Sequence, residues 1–438
     1  MDWPLTLLII LGSVLFLMAT GLPVAFCFIL VNLVGVFLFW SGEAGLRQLI
    51  LSIFNSVTFY GLLPVPLFLL MGEVMFHTEI APKMLDVVDK WLGRLPGRLG
   101  LLSVAGGTIF ATLSGSGMAS VAMLGTVLTP EMERRGYKKP MSLGPILGSA
   151  GLAIMIPPSA LAVLLASLGQ ISVGKLLIAI IIPGLLMAAL YTAYIIVRCQ
   201  LQPAIAPAYE VTPTPLSEKV VAATRYVLPL GSIIFLVTGV IFFGIAAPSE
   251  AAAMGTIGTF ILAACYRKLN WGTLKKSVFG TLQVTVMMLM VITGAKAFSQ
   301  ILAFTGVTEG LSQFAVGIPL PPITIIIVMQ VILLALGTFL DIVSIMMITL
   351  PIYVPIVLSL GFNPVWFGAL MLLNMEMAAT TPPFGLTLFV MKGVAPPDTT
   401  MGDIYRAGLP FLGCDLIAMI LMISFPILVL WLPDLMRM

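Results

Sequence analysis

Residues 99–130 read LGLLSVAGGTIFATLSGSGMASVAMLGTVLTP, a stretch without a charged residue and with Ser114-Gly115-Ser116-Gly117 near its middle. It is too long for one ordinary span, which takes roughly 20 apolar residues to cross ~30 Å of hydrocarbon. Arg94 and Arg98 flank its start, and Arg134, Arg135, Lys138 and Lys139 follow it. Basic loops stay on the cytoplasmic side, so both ends lie on one face and the segment is expected to be a re-entrant helical hairpin. Two half-helices of ~15 residues reach only partway across. The tip therefore sits at membrane depth, which is tolerable only where protein covers it or water reaches it.

The surrounding chain is equally apolar. Of 438 residues, 60% are hydrophobic and 9% charged, with a mean hydropathy of +1.14. Soluble domains carry about 25% charged residues, so this is an all-α integral membrane protein. The runs Leu5 to Phe39, Ile50 to Phe76, Leu176 to Val197 and Leu412 to Leu432 are long enough to span. The net charge of +3 says little about ligands, since the basic residues sit in loops. Met1-Asp2-Trp3 offers no basic leader region, so no cleaved signal is expected. Cys27, Cys199, Cys265 and Cys414 show no ligand spacing and His77 is the only histidine, which argues against a transition metal, a haem or a disulfide framework. The cysteines read as small packing residues.

A second hairpin follows from repetition. Pro130, Gly136 and Pro157-Pro158 recur as Pro355, Gly361 and Pro382-Pro383, each 225 positions on. From Gly310 to Met391 the only charges are Asp341 and Glu376, and the segment ends near Pro319–Pro322 and Gly361–Pro364 carry no lysine or arginine. This copy is expected to open to the external side, so the two copies form an inverted repeat. Internal repeats with interrupted hydrophobic segments point to a transporter whose site is built from broken helices.

Each copy supplies a tip and a break. In the first, Ser114 to Gly117 pairs with Gly148-Ser149 through Pro157-Pro158-Ser159; in the second, Gly337-Thr338 to Ser344 pairs with Thr380-Thr381-Pro382-Pro383. Proline lacks the helical donor and clashes with the preceding turn, so a double proline frees backbone carbonyls. Unsatisfied carbonyls in lipid cost on the order of several kcal/mol, and a bound cation satisfies them. Neutral hard oxygens suit Na⁺, while half-helix N-termini suit a carboxylate. A proton site would call for buried Asp, Glu or His, and none occurs between Leu99 and Pro130 or between Met141 and Ser172. Gly and Ser in membrane helices also serve plain packing; the conjunction of tip, double proline, duplication and opposite flanks carries the reading. Lys296, between two apolar runs, is a candidate attractor of an anionic substrate, with snorkelling as the alternative. Asp341 is expected to ligate Na⁺ or hold the tip, Glu376 has no assigned role, and Glu73 and Glu250 read as helix-end or interdomain contacts.

Two polar interruptions remain. Residues 200–224 hold Pro203, Pro207, Pro213 and Pro215 and read as a linker between two hydrophobic halves. Residues 78–92 place Ile80, Met84, Val88 and Trp91 on one helical face, as an amphipathic helix in the membrane interface would. Three rival classes lack their residues here. A proton-coupled antiporter-like subunit needs a row of intramembrane Lys, Glu and His, a channel needs polar stripes on several helices, and an enzyme needs a nucleophile, an acid–base pair or a metal set. No nucleic-acid partner is expected.

With these residues in view, the chain resembles the large membrane subunit of tripartite ATP-independent periplasmic (TRAP) transporters, in the ion transporter superfamily. The matching strings are PLFLLMGE at 66–73, Ser114-Gly115-Ser116, Pro130 through Gly136-Tyr137, IPPS at 156–159, IPG at 182–184, PSEAAA at 248–253 and TPPFG at 381–385. Together they span essentially the whole chain. Gly117 and Met118 depart from the small residues common at the first tip, Phe384 stands where valine is usual, and Glu376 is unexpected.

The resemblance implies an elevator-type carrier importing an organic acid, such as a dicarboxylate, keto acid or sialic acid, on a Na⁺ gradient across the bacterial inner membrane. A periplasmic substrate-binding protein would deliver the substrate, and a small four-helix membrane subunit would enlarge the scaffold. It implies scaffold helices over 1–77, an interfacial arm over 78–95 and a first transport half over 96–172. Scaffold helices over 173–250 would carry the linker at 200–224, and second-repeat helices 251–309 would lead to a second transport half over 310–400 and a C-terminal transmembrane helix over 401–438. The sodium roles it implies fall on Ser114, Gly115, Ser116, Gly148, Ser149 and Pro157, and on Gly337, Thr338, Asp341, Thr380, Thr381 and Pro382, with two or more ions in all. Substrate would bind between the tips, with Ser159, Ser344, Pro158, Pro383 and Lys296 as candidates.

Overall fold

The structure is a computed structural model describing residues 3–39, 42–78, 80–93, 95–114, 117–207 and 215–436. Those residues are all-helical, with six helices long and apolar enough to cross a membrane, or seven if the bent pair Lys139–Met155 and Ala160–Leu168 is one span. The chain is a multi-pass membrane protein. The apolar run from Leu5 to Phe39 is two helices, Trp3–Ala19 and Val24–Phe39, because Gly21 turns at φ 84° just before Pro23.

Two broken helices form the centre. Every residue from Met141 to Met155 is buried in Lys139–Met155, as is every one from Val365 to Ala378 in Pro364–Thr380. Such helices are apolar all round because protein encloses them on all sides. The first is wrapped by Arg98–Ser114, Gly117–Arg134, Ile181–Leu201 and Met401–Ser424. The second packs on Pro322–Gly337, where Asn374 Nδ2 donates to the Gln330 carbonyl at 2.8 Å.

Two packed helix pairs stand where the sequence puts its hairpins. Arg98–Ser114 with Gly117–Arg134 makes the first, and Pro322–Gly337 with Ile342–Ser359 the second. Gly117–Arg134 begins and ends 225 positions before Ile342–Ser359, and the same offset relates Lys139–Met155 to Pro364–Thr380. Gly136 and Gly361, in the turns that follow the hairpins, hold φ of 79° and 78°. That left-handed backbone favours glycine. Pro130 and Pro355 lie inside their helices.

The 34-residue helix Trp271–Phe304, about 50 Å long at 1.5 Å per residue, packs on Val24–Phe39, Glu43–Val57 and Pro64–His77. The interfacial helix runs Ile80–Leu92. Its buried stripe is Met84, Leu85 and Val87, while Trp91 is exposed. The predicted face is therefore rotated, because the helix leans on the first hairpin, with Leu85 against Gly106. Asp89 pairs with Arg98 at 2.6 Å and Lys90 with Glu218 at 2.7 Å.

Two boundaries differ from expectation. Helix Leu216–Ala222 starts inside the proposed linker, whose residues 208–214 lie outside the described ones. The C-terminal span ends at Ser424, and a separate short helix, Ile427–Asp434, follows it after Pro426.

Candidate functional site

Residues that flank the tips and the breaks line one cavity of about 500 Å³. The first hairpin contributes Gly117 to Ala119, and the second Gly337 and Leu340 to Val343. The breaks bring Ile154, Ala160 and Leu161 from one central helix and Glu376, Ala378, Ala379 and Phe384 from the other. The facing wall consists of Leu69, Gly72, Glu73 and Phe76 with Val284, Met287 and Met288. Helix ends surround this space, so carbonyls without intrahelical partners and N-terminal N–H groups both lie close to it.

Close packing sets the geometry. A Cβ on Gly117 would fall 2.9 Å from the Ala150 carbonyl oxygen, and one on Gly337 would fall 2.3 Å from the Ala378 Cβ. Each hairpin tip thus sits directly on the broken helix of its own half, and only glycine allows the approach. Asp341 is the N-cap of Ile342–Ser359, accepting from the Val343 and Ser344 N–H groups at 3.1 and 3.2 Å and from the Ser344 hydroxyl. It lines the cavity, and Ser344 is buried behind it. Thr338 donates to the Ala335 carbonyl at 2.7 Å in the last turn before the tip.

At the second break, Thr380 Oγ1 donates to the Met377 carbonyl at 3.1 Å and Thr381 Oγ1 to the same oxygen at 2.6 Å. Pro382-Pro383 carries a cis peptide bond, and the Pro383 carbonyl accepts from the Tyr405 hydroxyl at 2.9 Å. At the first break, Pro157-Pro158 is also cis, and Ser159 caps Ala160–Leu168 by accepting from the Ala162 N–H at 3.3 Å. Ser149 is fully buried against Gly107 and donates to the Ile146 carbonyl at 3.0 Å.

Three expectations need correction or a boundary. The first central helix runs unbroken through Gly148 and Ser149 to Met155, so the interruption is confined to residues 156–159. The Gly148 Cα faces the Phe411 ring, where a Cβ would fall 2.4 Å from Cδ1, because the C-terminal span crosses there. Lys296 does not lie between the tips but lines a separate cavity of about 190 Å³, since it stands eight residues, about 12 Å, further along the long helix than Met288 of the central cavity. Gly115 and Ser116 lie outside the described residues, and Ser114 is described only as the end of its helix.

Sequence reasoning gave Glu376 no role and missed the facing wall. Glu376 is 3% exposed, and its Oε1 has no hydrogen-bond partner among the described residues. The wall is legible afterwards as spacing: Leu69, Gly72, Glu73 and Phe76 fall on one helical face. Glu73 pairs with His77 at 3.2 Å, and Glu250 accepts from the Ala247 N–H at 2.8 Å, a helix-start contact of the expected kind.

Broken helices seated around one cavity, among spans long and apolar enough to cross a membrane, make this a multi-pass membrane protein of the kind that builds permeases. The family described as "Tripartite ATP-independent periplasmic transporter, DctM component" matches residues 11–428, and the chain belongs to it. The C4-dicarboxylate TRAP transporter large permease protein DctM of Pseudomonas aeruginosa is 31% identical over 89% of this chain and 90% of its own length. The protein of the same description from Rhodobacter capsulatus is 31% identical over 98% and 99%. The ectoine TRAP transporter large permease protein TeaC of Halomonas elongata is 27% identical over 98% and 99%. Among solved structures, the Alcanivorax borkumensis YdaH transporter shares the fold, with a TM-score of 0.64 at 14% identity, over 89% of this chain and 90% of that one.

Proposed function

We propose that this chain is the sodium-coupled carrier of an organic acid, importing it across the bacterial inner membrane. The observation that carries this reading is one cavity lined by Gly117 and Gly337 beside the two tips and by Ile154, Ala160, Ala379 and Phe384, which flank the two double-proline breaks. A carboxylate takes the N-terminal N–H groups of the half-helices, and Na⁺ takes the freed carbonyls and hydroxyls. The first ion is assigned to Ser114, Gly115, Ser116, the Ser149 hydroxyl and the carbonyls near Pro157. The second is assigned to Gly337, Thr338, Asp341, Thr380, Thr381 and Pro382. Substrate sits between the tips, near Ser159 and Ser344 with Pro158 and Pro383.

The hairpins and central helices move as one body past a scaffold that includes Pro64–His77 and Trp271–Phe304. Matching helix bounds in the two halves, with basic flanks on one hairpin and none on the other, support an inverted repeat and an elevator mechanism. A periplasmic binding protein presents the substrate, and a small four-helix subunit widens the scaffold. The relatives named for C4-dicarboxylates make such acids the first substrates to test.

The test is uptake of radiolabelled succinate into proteoliposomes holding the large and small subunits, with the cognate binding protein outside. Uptake that requires a sodium gradient and stops when potassium replaces sodium is expected. Uptake indifferent to that exchange would refute the coupling.

A further inference from the structure

Away from the helix breaks, the cavity of about 190 Å³ around Lys296 has a different chemistry. Lys296, Ser299 and Gln300 on Trp271–Phe304 all line it, and their i, i+3, i+4 spacing puts them on one helical face. Ser56, Ser167 and Gln170 also line it, from other helices and turns. Among the described residues no carboxylate pairs with Lys296, whose ammonium lies 5.2 Å from the Phe59 ring centroid. Gln300 Oε1 is buried, and among the described residues no donor stands against it. A lysine near the end of a span keeps its charge at the interface, where it can meet an arriving anion, and a buried acceptor calls for a donor. The cavity thus offers an unpaired cation beside an unpaired acceptor.

Its depth follows from charge and length. Arg267, Lys268, Lys275 and Lys276 cluster about the start of the long helix and place that end in the cytoplasm. Lys296 stands 20 residues beyond Lys276, about 30 Å at 1.5 Å per residue and close to the hydrocarbon thickness. Gln170 follows the end of the bent span that begins at Lys139, beside Lys138, so it too is external. Ser167 and Gln170 belong to the body carrying the breaks, and Lys296 to the wall facing it.

We propose that this cavity is an external-side binding site for a hydroxylated carboxylate, separate from the central cavity. The Lys296 ammonium takes the carboxylate, and a hydroxyl of the same molecule donates to Gln300 Oε1. The inference rests on the organic-acid reading above and narrows it to acids bearing a hydroxyl. It also gives the arriving anion a first station before the tips.

The test places one cysteine at Ser299, with Cys27, Cys199, Cys265 and Cys414 replaced by alanine, in proteoliposomes of the large and small subunits. A membrane-impermeant maleimide is applied from the external side. L-Malate is expected to slow labelling about tenfold, and succinate, which lacks the hydroxyl, markedly less. Chloride and phosphate should leave the rate unchanged, and Lys296→Gln should abolish protection. A cysteine at Gln170, on the opposite wall, repeats the measurement should Ser299→Cys fail to fold. Labelling indifferent to both acids, or slowed equally by inorganic anions, would overturn the site. Uptake of labelled malate or succinate by the same vesicles, with the cognate binding protein supplied outside, separates the two readings. Uptake without protection refutes this site alone, whereas neither uptake nor protection refutes it together with the carboxylate reading.

Discussion

Gly151 and Glu376 meet between the two central helices, where a Cβ on residue 151 would stand 2.0 Å from the Glu376 carboxyl oxygen Oε1. One half of the molecule carries the carboxyl and the other carries the glycine that makes room for it. Asp415, buried on the C-terminal span, accepts from the Tyr191 hydroxyl. The two halves are thus locked by a contact that neither could make with a larger residue at 151.

Gly151→Ala should therefore overpack this seam. Overpacking of a filled core costs about 1–3 kcal/mol, so a lower melting midpoint and lost uptake are expected. Adding Glu376→Ala removes the obstructing carboxyl and should restore the melting midpoint. Unchanged melting in Gly151→Ala would show that the helices do not approach this closely.

Asp341 separates a structural role from an ionic one. Asp341→Ala removes the N-cap of the second hairpin's returning helix, worth about 1 kcal/mol. Asp341→Asn keeps a capping oxygen and loses the charge. A sodium titration of uptake should show the half-saturating concentration rising in both variants, with melting lowered only in the alanine variant. A sodium dependence unaltered in Asp341→Asn would take the aspartate out of the proposed ion site.

How much of this was legible depends on what each signal measures. Loop charge and apolar length act through the membrane, so the hairpin around residues 114–117 and its later counterpart could be read from Arg98, Arg134 and the uncharged stretch between them. Helical faces depend on which neighbour a helix meets. For that reason Lys296 falls in a different cavity from the tips, Gly148 meets Phe411, and the interfacial helix buries Leu85 rather than Trp91. Glu376 was visible as an anomaly, but its partner Gly151 lies 225 positions away and has no side chain to announce the contact.

Ser149 offers a sharper test of the first ion site, because its hydroxyl hydrogen is already spent on the Ile146 carbonyl. Its oxygen lone pairs remain for a cation. Ser149→Ala keeps the packing against Gly107 and removes only that oxygen, at a stability cost of about 1 kcal/mol. The expected outcome is intact insertion and melting within a few degrees of wild type, with a several-fold higher sodium requirement. Sodium dependence equal to wild type would exclude the hydroxyl as a ligand.

The arm helix gives the last prediction. Asp89 on Ile80–Leu92 pairs with Arg98 at the root of the first hairpin, and the arginine side chain is only 7% exposed. Arg98 Nη2 also donates to the Asp89 carbonyl at 2.8 Å, so one guanidinium fixes both the side chain and the backbone of the arm. At the other side of the arm, Lys90 holds Glu218 on Leu216–Ala222. If the hairpin travels while the arm stays in the interface, this contact transmits the arm's restraint to the moving body. Arg98→Gln keeps one donor and loses the charge-assisted pair, which is worth roughly 1.5–3 kcal/mol when partly buried. The expected result is slower maximal uptake with an unchanged half-saturating sodium concentration, since no proposed ion ligand is touched. A variant that altered sodium affinity and left the maximal rate intact would show that the arm acts on the site and not on the motion.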